Sequence, residues 1–308
     1  MRLRLHWHIA PSEAVAVNHA DQPSPPAPAQ ATVPNFSRPG ELAAKVPAGW
    51  RRHPWRVAVR GGWFALAGLL AFADYFFCVQ LAGRAGSARA RAAWMSRCAR
   101  RWLHALGVTV TQEGVPPAFG LLVSNHVGYL DILVLGAVQP MVFVAKSETR
   151  GWPVFGALVR RAGTVFIRRD RVHDLRRVLG ELPPPVEQLP VEEGVVVAFF
   201  PEGTSTDGST VLPFRPALLA PAVRRGWPVT PAWLGYTLDE GDGVAADEVC
   251  WWGETTLVPH LLNLFSKRCI RAQVVFGEPQ RAGADRKVLG RQLRGQVGAL
   301  GGVMPAKG

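Results

Sequence analysis

Leu121-Leu122-Val123-Ser124-Asn125-His126-Val127-Gly128-Tyr129-Leu130-Asp131 is the stretch that decides how this chain is read. Leu121 to Val123 is a short apolar run of the kind a buried strand uses. Ser124 to Tyr129 carries polar residues and a glycine, so it reads as a turn, and Leu130 to Val138 continues as a helix. A histidine at the strand's end and an aspartate at the helix start lie five residues apart. The turn lets the chain curl back until Asp131 meets one ring nitrogen of His126. The carboxylate then fixes the tautomer and leaves the other nitrogen free to take a proton. That is a general base with its orienting partner, and no side-chain nucleophile stands in an activated motif near it.

Past Gly107, strand-like and helix-like segments alternate. Strands are expected at Val108–Val110, Leu121–Val123, Val142–Ala145, Thr164–Ile167, Val195–Phe200, Val229–Trp233, Val249–Trp252 and Ala272–Phe276. Helices are expected at Leu130–Val138, Trp152–Arg161, Val172–Leu182, Pro216–Arg225, Val258–Phe265 and Arg286–Val297. The alternation predicts an α/β fold, a mainly parallel sheet flanked by helices. Active groups in such sheets collect in loops beyond the strand ends, where His126, Arg169 and Glu202 fall.

Three segments follow the first in order. Gly163-Thr164-Val165-Phe166-Ile167-Arg168-Arg169 ends a β-type run in two guanidinium groups, whose planar forks suit phosphate. Phe199-Phe200-Pro201-Glu202-Gly203-Thr204-Ser205 sets a carboxylate in a Pro/Gly turn, and Pro228-Val229-Thr230-Pro231 opens another strand. With Asn125 to Asp131, these segments resemble, over about Leu103 to Phe276, the four blocks of the glycerolipid acyltransferases, the family of 1-acylglycerol-3-phosphate (lysophosphatidic acid) acyltransferases.

The resemblance implies transfer of a fatty acyl group from an acyl-CoA or acyl carrier protein thioester to the free hydroxyl of a lysophospholipid, with no bound cofactor or metal. The acceptor it favours is 1-acylglycerol-3-phosphate, giving phosphatidic acid. In the family, the arginine closing the second block contacts the acceptor's phosphate, and Arg169 holds that place. The glutamate of the third block helps to position the acceptor, and Glu202 holds that place. Many members follow the Gly-Thr of this block with arginine, where this chain has Ser205. That departure opens the alternative of a lyso-ornithine lipid acceptor.

The residues themselves suggest the same chemistry. A base without a nucleophile of its own lets the substrate supply the attacking oxygen. Backbone N–H groups around Gly203 and Thr204 are candidate oxyanion donors. Arg168, Lys146 and Arg215 are further candidates for binding the substrate's charge.

The formal charge of +12 and pI near 10.5 call for an anionic partner. No basic–aromatic recognition module points to nucleic acid, and eleven tryptophans suit a membrane interface. Four scattered cysteines read as reduced thiols. Residues 1–50 read as a disordered Pro/Ala-rich tail without a secretory h-region, 51–106 as a membrane-associated helical region, 107–300 as the catalytic domain and 301–308 as a flexible tail.

Gly61 to Gly83 is apolar except for Asp74 and Gln80, and as a helix it would reach about 35 Å. Asp74 and the arginines on both flanks argue against a simple span and for a hairpin or interfacial helix. Ser87 to Leu106 then reads as a basic amphipathic helix, with Arg89, Arg97, Arg100 and Arg101 able to face acidic lipid. The expected location is the inner, cytoplasmic membrane, with the catalytic domain facing the cytosol.

Other classes lack their motifs. There is no Gly-x-Ser-x-Gly elbow and no phosphate-binding Gly-x4-Gly-Lys-Ser/Thr loop. Gly241-x-Gly243-x-x-Ala246 sits in an acidic loop without strand-turn-helix context. A non-catalytic basic membrane scaffold would account for the charge but not for His126, Asp131 and Glu202 together.

Overall fold

The computed structural model describes residues 49–147, 151, 155–167, 191, 194–253, 255–283 and 285–304. The N-terminal tail, the helix expected at Val172–Leu182, Arg168 and Arg169 lie outside the described residues, as does the side chain of Lys146.

Among the described residues, eight strands form one sheet. They are β1 (Val108–Glu113), β2 (Leu121–Ser124), β3 (Met141–Lys146), β4 (Val165–Ile167), β5 (Val196–Phe199), β6 (Pro228–Leu238), β7 (Ile270–Phe276) and β8 (Gln280–Arg281). Their order is β1-β7-β6-β2-β5-β3-β4, with β8 beside the start of β6. Neighbours run parallel except where β7 and β8 meet β6. The mainly parallel sheet read from the sequence is therefore present. β2 and β5 are buried at every residue, because helices cover both faces.

One face carries α2 (Ala88–Leu106) and α3 (Leu130–Val138), and α1 (Pro54–Tyr75) and α7 (Leu257–Ser266) pack into the same core. The other face carries Leu289, Leu293 and Val297 of α8 (Arg286–Leu300) with Leu219 and Ala222. Those last two belong to a 3-10 turn, Pro216–Leu219, and to α5 (Ala220–Arg225), which together form the helix expected at Pro216–Arg225. A short α4 (Phe155–Arg161) precedes β4.

The strand expected at Val249–Trp252 does not form. After α6 (Ala245–Glu248) the chain runs as an irregular strap across the turn that follows β2, and Trp251 N donates to the carbonyl of Val127 at 2.7 Å. Its aromatic, β-like composition serves packing on that turn instead of sheet pairing.

The apolar N-terminal segment begins earlier than expected. Pro54, at a position where a missing N–H costs nothing, starts α1, and a π-turn carries the helix on to Gln80. Residues 54–80 are long and apolar enough to cross a membrane by length and composition. One face of this helix packs on the protein: Ala67 and Ala71 are buried, and the Trp94 indole donates to Ala71 O at 2.9 Å. The other face exposes Trp55, Val59, Trp63, Leu66, Leu70, Phe77 and Leu81.

The structure also accounts for the charge in this segment. Arg97 grips Asp74 with two bonds of 3.0 and 2.8 Å, and Arg101 adds a third at 2.8 Å. Arg97 and Arg101 are thus engaged in joining α2 to α1, a correction to their expected lipid-facing role. Arg56 and Arg60, read as flanking charges, donate to the carbonyls of Ser266, Lys267 and Arg268 at the end of α7, where positive charge suits the helix dipole.

Asp74→Ala should therefore loosen α1 from α2. We expect a loss of about 1–2 kcal/mol, between the values for exposed and for buried charge-assisted pairs. A melting temperature in detergent equal to that of the wild type would contradict this assignment.

Candidate active site

The site stands where β2 and β5 end side by side. Val123 pairs with Phe199 in parallel register, so three residues further along each chain His126 comes opposite Glu202. His126 N donates to Glu202 Oε1 at 2.7 Å. Asn125 closes the other side: its amide exchanges two 2.8 Å bonds with the backbone of Leu234, extending the β2–β6 ladder with a side chain.

The turn then curls as its sequence implies. Asp131, fully buried in the first turn of α3, accepts from His126 Nδ1 at 2.7 Å. The same oxygen, Oδ2, accepts from Val127 N at 2.8 Å and Gly128 N at 3.0 Å. Oδ1 accepts from the Tyr236 hydroxyl at 2.9 Å, and burial pushes that phenol well above its ordinary pKa, so it remains a donor. Gly128 is required by close approach, since a Cβ there would stand 3.0 Å from Trp251 N.

With Nδ1 occupied, Nε2 is the ring nitrogen left for chemistry. The imidazole stacks on Phe200 at 4.1 Å and 14°, and its side chain keeps 21% exposure. Packing from one face and an oriented hydrogen bond hold the ring, the arrangement that general-base chemistry uses.

A family model described as Acyltransferase matches residues 107–235. The chain is 37% identical to a lyso-ornithine lipid O-acyltransferase of Brucella abortus over 61% of this chain and 72% of the relative. It is 36% identical to the enzyme of that name from Rhodobacter capsulatus, over 73% and 81%. The chain belongs to the glycerolipid acyltransferase family. It is an O-acyltransferase. A 1-acyl-sn-glycerol-3-phosphate acyltransferase of Neisseria meningitidis is 31% identical over 63% of this chain and 74% of its own. The crystal structure of the 1-acyl-sn-glycerophosphate acyltransferase from Thermotoga maritima aligns with a TM-score of 0.49 and 22% identity, over 80% of this chain and 98% of that one.

The acyltransferase brings His126, Asp131 and Glu202 together, and Glu202 has a structural part that its motif did not announce. It is buried, and its second oxygen accepts from Leu212 N at 2.8 Å, so both oxygens are engaged by backbone. The geometry makes it a brace between the His126 turn and the 212–215 segment. Gly203 N–H likewise closes a turn onto Phe200 O at 3.2 Å, with φ of 82°. Thr204 beside it is exposed. Arg215 is exposed and fixed next to the turn by its backbone N–H on Pro201 O at 2.9 Å. The Ser205 hydroxyl donates to Trp251 O at 2.5 Å. Among the described residues, no three His, Cys, Asp or Glu side chains gather as a metal site.

Tyr236 and Trp251 are parts of the site that the motifs did not announce, and Phe200, inside the third block, was not read as a support for the ring. One signal was available: the chain has three tyrosines, and two of them, Tyr129 and Tyr236, hydrogen-bond at this turn.

Burial pushes the Glu202 carboxyl from its ordinary 4.5 up to about 7, against the pull of its two backbone donors. A group whose pKa is raised on folding adds stability below the unfolded value and loses it as pH rises through the folded one. Wild-type stability should therefore carry a component that declines from about pH 5 to pH 7.5. Glu202→Gln should lack this component and should lose about 1–3 kcal/mol by setting an amide NH2 against a backbone N–H. Urea melts of both proteins at the two pH values check it: the gap should narrow at the higher pH.

Proposed function

We propose that this acyltransferase moves a fatty acyl group from an acyl thioester to the free hydroxyl of a lysolipid, with His126 as general base. The observation that carries the reading is the 2.7 Å contact between Asp131 and His126 Nδ1, which leaves Nε2 to serve the substrate. The acceptor oxygen attacks the thioester carbonyl carbon as Nε2 takes its proton. The tetrahedral intermediate then expels the thiolate with cleavage of the C–S bond, and the imidazolium returns the proton to sulfur. Asp131 stabilises the imidazolium between these steps. The backbone N–H of Thr204, an exposed residue, is the donor we assign to the oxyanion, and the donor substrate is an acyl-CoA or acyl carrier protein thioester.

For the acceptor we favour a lyso-ornithine lipid. Ser205 presents a neutral hydroxyl, tied to the Trp251 carbonyl, where many family members carry arginine. A site with one fewer positive charge fits an acceptor without a phosphate monoester. The relatives from Brucella and Rhodobacter, which carry that activity in their names, support the choice. Lysophosphatidate is the second reading, supported by Arg169 at the phosphate-contacting place of its block and by the Neisseria relative. In that case Arg169→Ala should raise KM for the lysolipid and spare the acyl donor.

His126→Ala should abolish transfer with the fold intact, and Asp131→Asn should lower kcat by about 10²–10⁴ through loss of tautomer control. Assays with lyso-ornithine lipid and lysophosphatidate, each with acyl-CoA and acyl carrier protein thioesters and resolved by lipid mass spectrometry, test both parts. Near-normal turnover by folded His126→Ala would end the mechanism. Use of lysophosphatidate alone would reverse the choice of acceptor, and Ser205→Arg should improve lysophosphatidate use if lyso-ornithine lipid is native.

We further propose that α1 lies in the cytosolic face of the inner membrane, held by its exposed apolar face. The support is its division into a protein-facing side at Ala67 and Ala71 and an uncovered side at Trp63, Leu66 and Leu70. The net charge of +12 favours anionic lipid. Leu66→Glu with Leu70→Glu should remove co-sedimentation with phosphatidylglycerol vesicles while leaving a cooperative melt. Retention on the vesicles would point to another anchor.

A further inference from the structure

His260 is 1% exposed on α7. Its Nδ1 lies 2.9 Å from the Tyr129 hydroxyl, and the two rings meet edge to face at 5.5 Å. Tyr129 is the residue just before α3, one peptide from Leu130 and two from Asp131. Burial raises the Tyr129 phenol, so it donates, and lowers His260 to about 4, so the imidazole is neutral and accepts at Nδ1. Nε2 then carries the hydrogen. It is buried and, among the described residues, has no well-formed hydrogen bond, and the backbone of Val249 and Cys250 lies beside the ring. The charged groups near it, Glu248 and Lys267, are paired with each other.

The imidazole therefore stands between two segments that meet at the catalytic turn. On one side is Tyr129, at the head of the helix that carries Asp131. On the other is the 249–252 strap, whose Trp251 bonds Val127 and Ser205. α7 is itself a fixed support. Arg56 and Arg60 hold its C-terminal carbonyls, and Phe265 packs on Phe64 at 5.4 Å.

We propose that His260 is a positioning residue for acyl transfer: by fixing Tyr129 and backing the strap, it holds Asp131, and through it His126, at the height of the reacting atoms. This rests on the reading of His126 as the base. A base displaced by even about 1 Å loses rate steeply while binding survives, so the signature is a fall in kcat with KM unchanged.

The test uses full-length Tyr129→Phe, His260→Leu, His260→Asn and the double variant Tyr129→Phe/His260→Leu, with His126→Ala as reference. Tyr129→Phe and His260→Leu should each lower kcat about ten- to a hundredfold, leave both KM values within about twofold, and shift the acid limb of the kcat–pH profile. The double variant should be no slower than the slower single, because both delete one bond. The amide oxygen of His260→Asn can occupy the place of Nδ1 and should restore most of kcat. A role limited to folding would lower the melting temperature and the active fraction, and would leave turnover per folded molecule and its pH profile unchanged. Turnover within twofold of wild type in folded Tyr129→Phe, or losses that multiply in the double variant, overturns the proposal. Should His260→Leu fail to fold, Tyr129→Phe deletes the same hydrogen bond without changing the core and decides alone. A dead His126→Ala beside a normal Tyr129→Phe removes the positioning role only, whereas an active His126→Ala removes the assignment of the base.

Discussion

Asp131 is fully buried, and a carboxylate is tolerated there only if donors replace the water it has lost. Four do so: the His126 ring, the amides of Val127 and Gly128, and the Tyr236 hydroxyl. Three come from the turn itself, which must curl tightly to deliver them. The fourth comes from β6, which continues past the end of β2 and so brings its tyrosine level with the turn. The orientation of the imidazole is thus a by-product of satisfying one buried anion. The parallel register of β2 and β5 adds the second restraint, since it sets the His126 amide against a second buried carboxylate, Glu202.

What the sequence disclosed depended on distance along the chain. The His126–Asp131 pair and α3 are local, so spacing and an apolar run sufficed, and α3 has the bounds Leu130–Val138 that its composition suggests. The alternation of strands and helices was legible because strands buried on both faces are continuously apolar. The role of Glu202 was not legible. A motif reports which residue stands in a turn, but not that two amides, one of them ten residues downstream at Leu212, have taken both its oxygens. Val249–Trp252 misled because aromatic and β-branched residues suit any half-buried surface, including a strap that pairs with no strand.

Charge in the N-terminal region shows the same limit. Asp74 looks misplaced in an apolar segment, and the arginines of α2 look free to meet lipid. Each is the other's explanation, and they meet 23 and 27 residues apart. Arg56 and Arg60 were equally opaque, since the carbonyls they hold lie more than two hundred residues away. Once these charges are matched internally, the uncovered face of α1 is almost wholly apolar.

The distances spanned by the restraints on the turn bear on when the enzyme becomes an enzyme. His126 and Asp131 are synthesised together, but Asn125 waits for Leu234, Asp131 for Tyr236, Val127 for the strap and Tyr129 for His260. Such long loops close late in folding. The residues matched by the family model end at Gly235, one position before the hydroxyl that completes the Asp131 shell. A ribosome-bound chain of that length holds both members of the dyad and neither of the tyrosine restraints. The restraints on the turn are therefore complete only with the last quarter of the polypeptide, after the apolar α1 has already emerged.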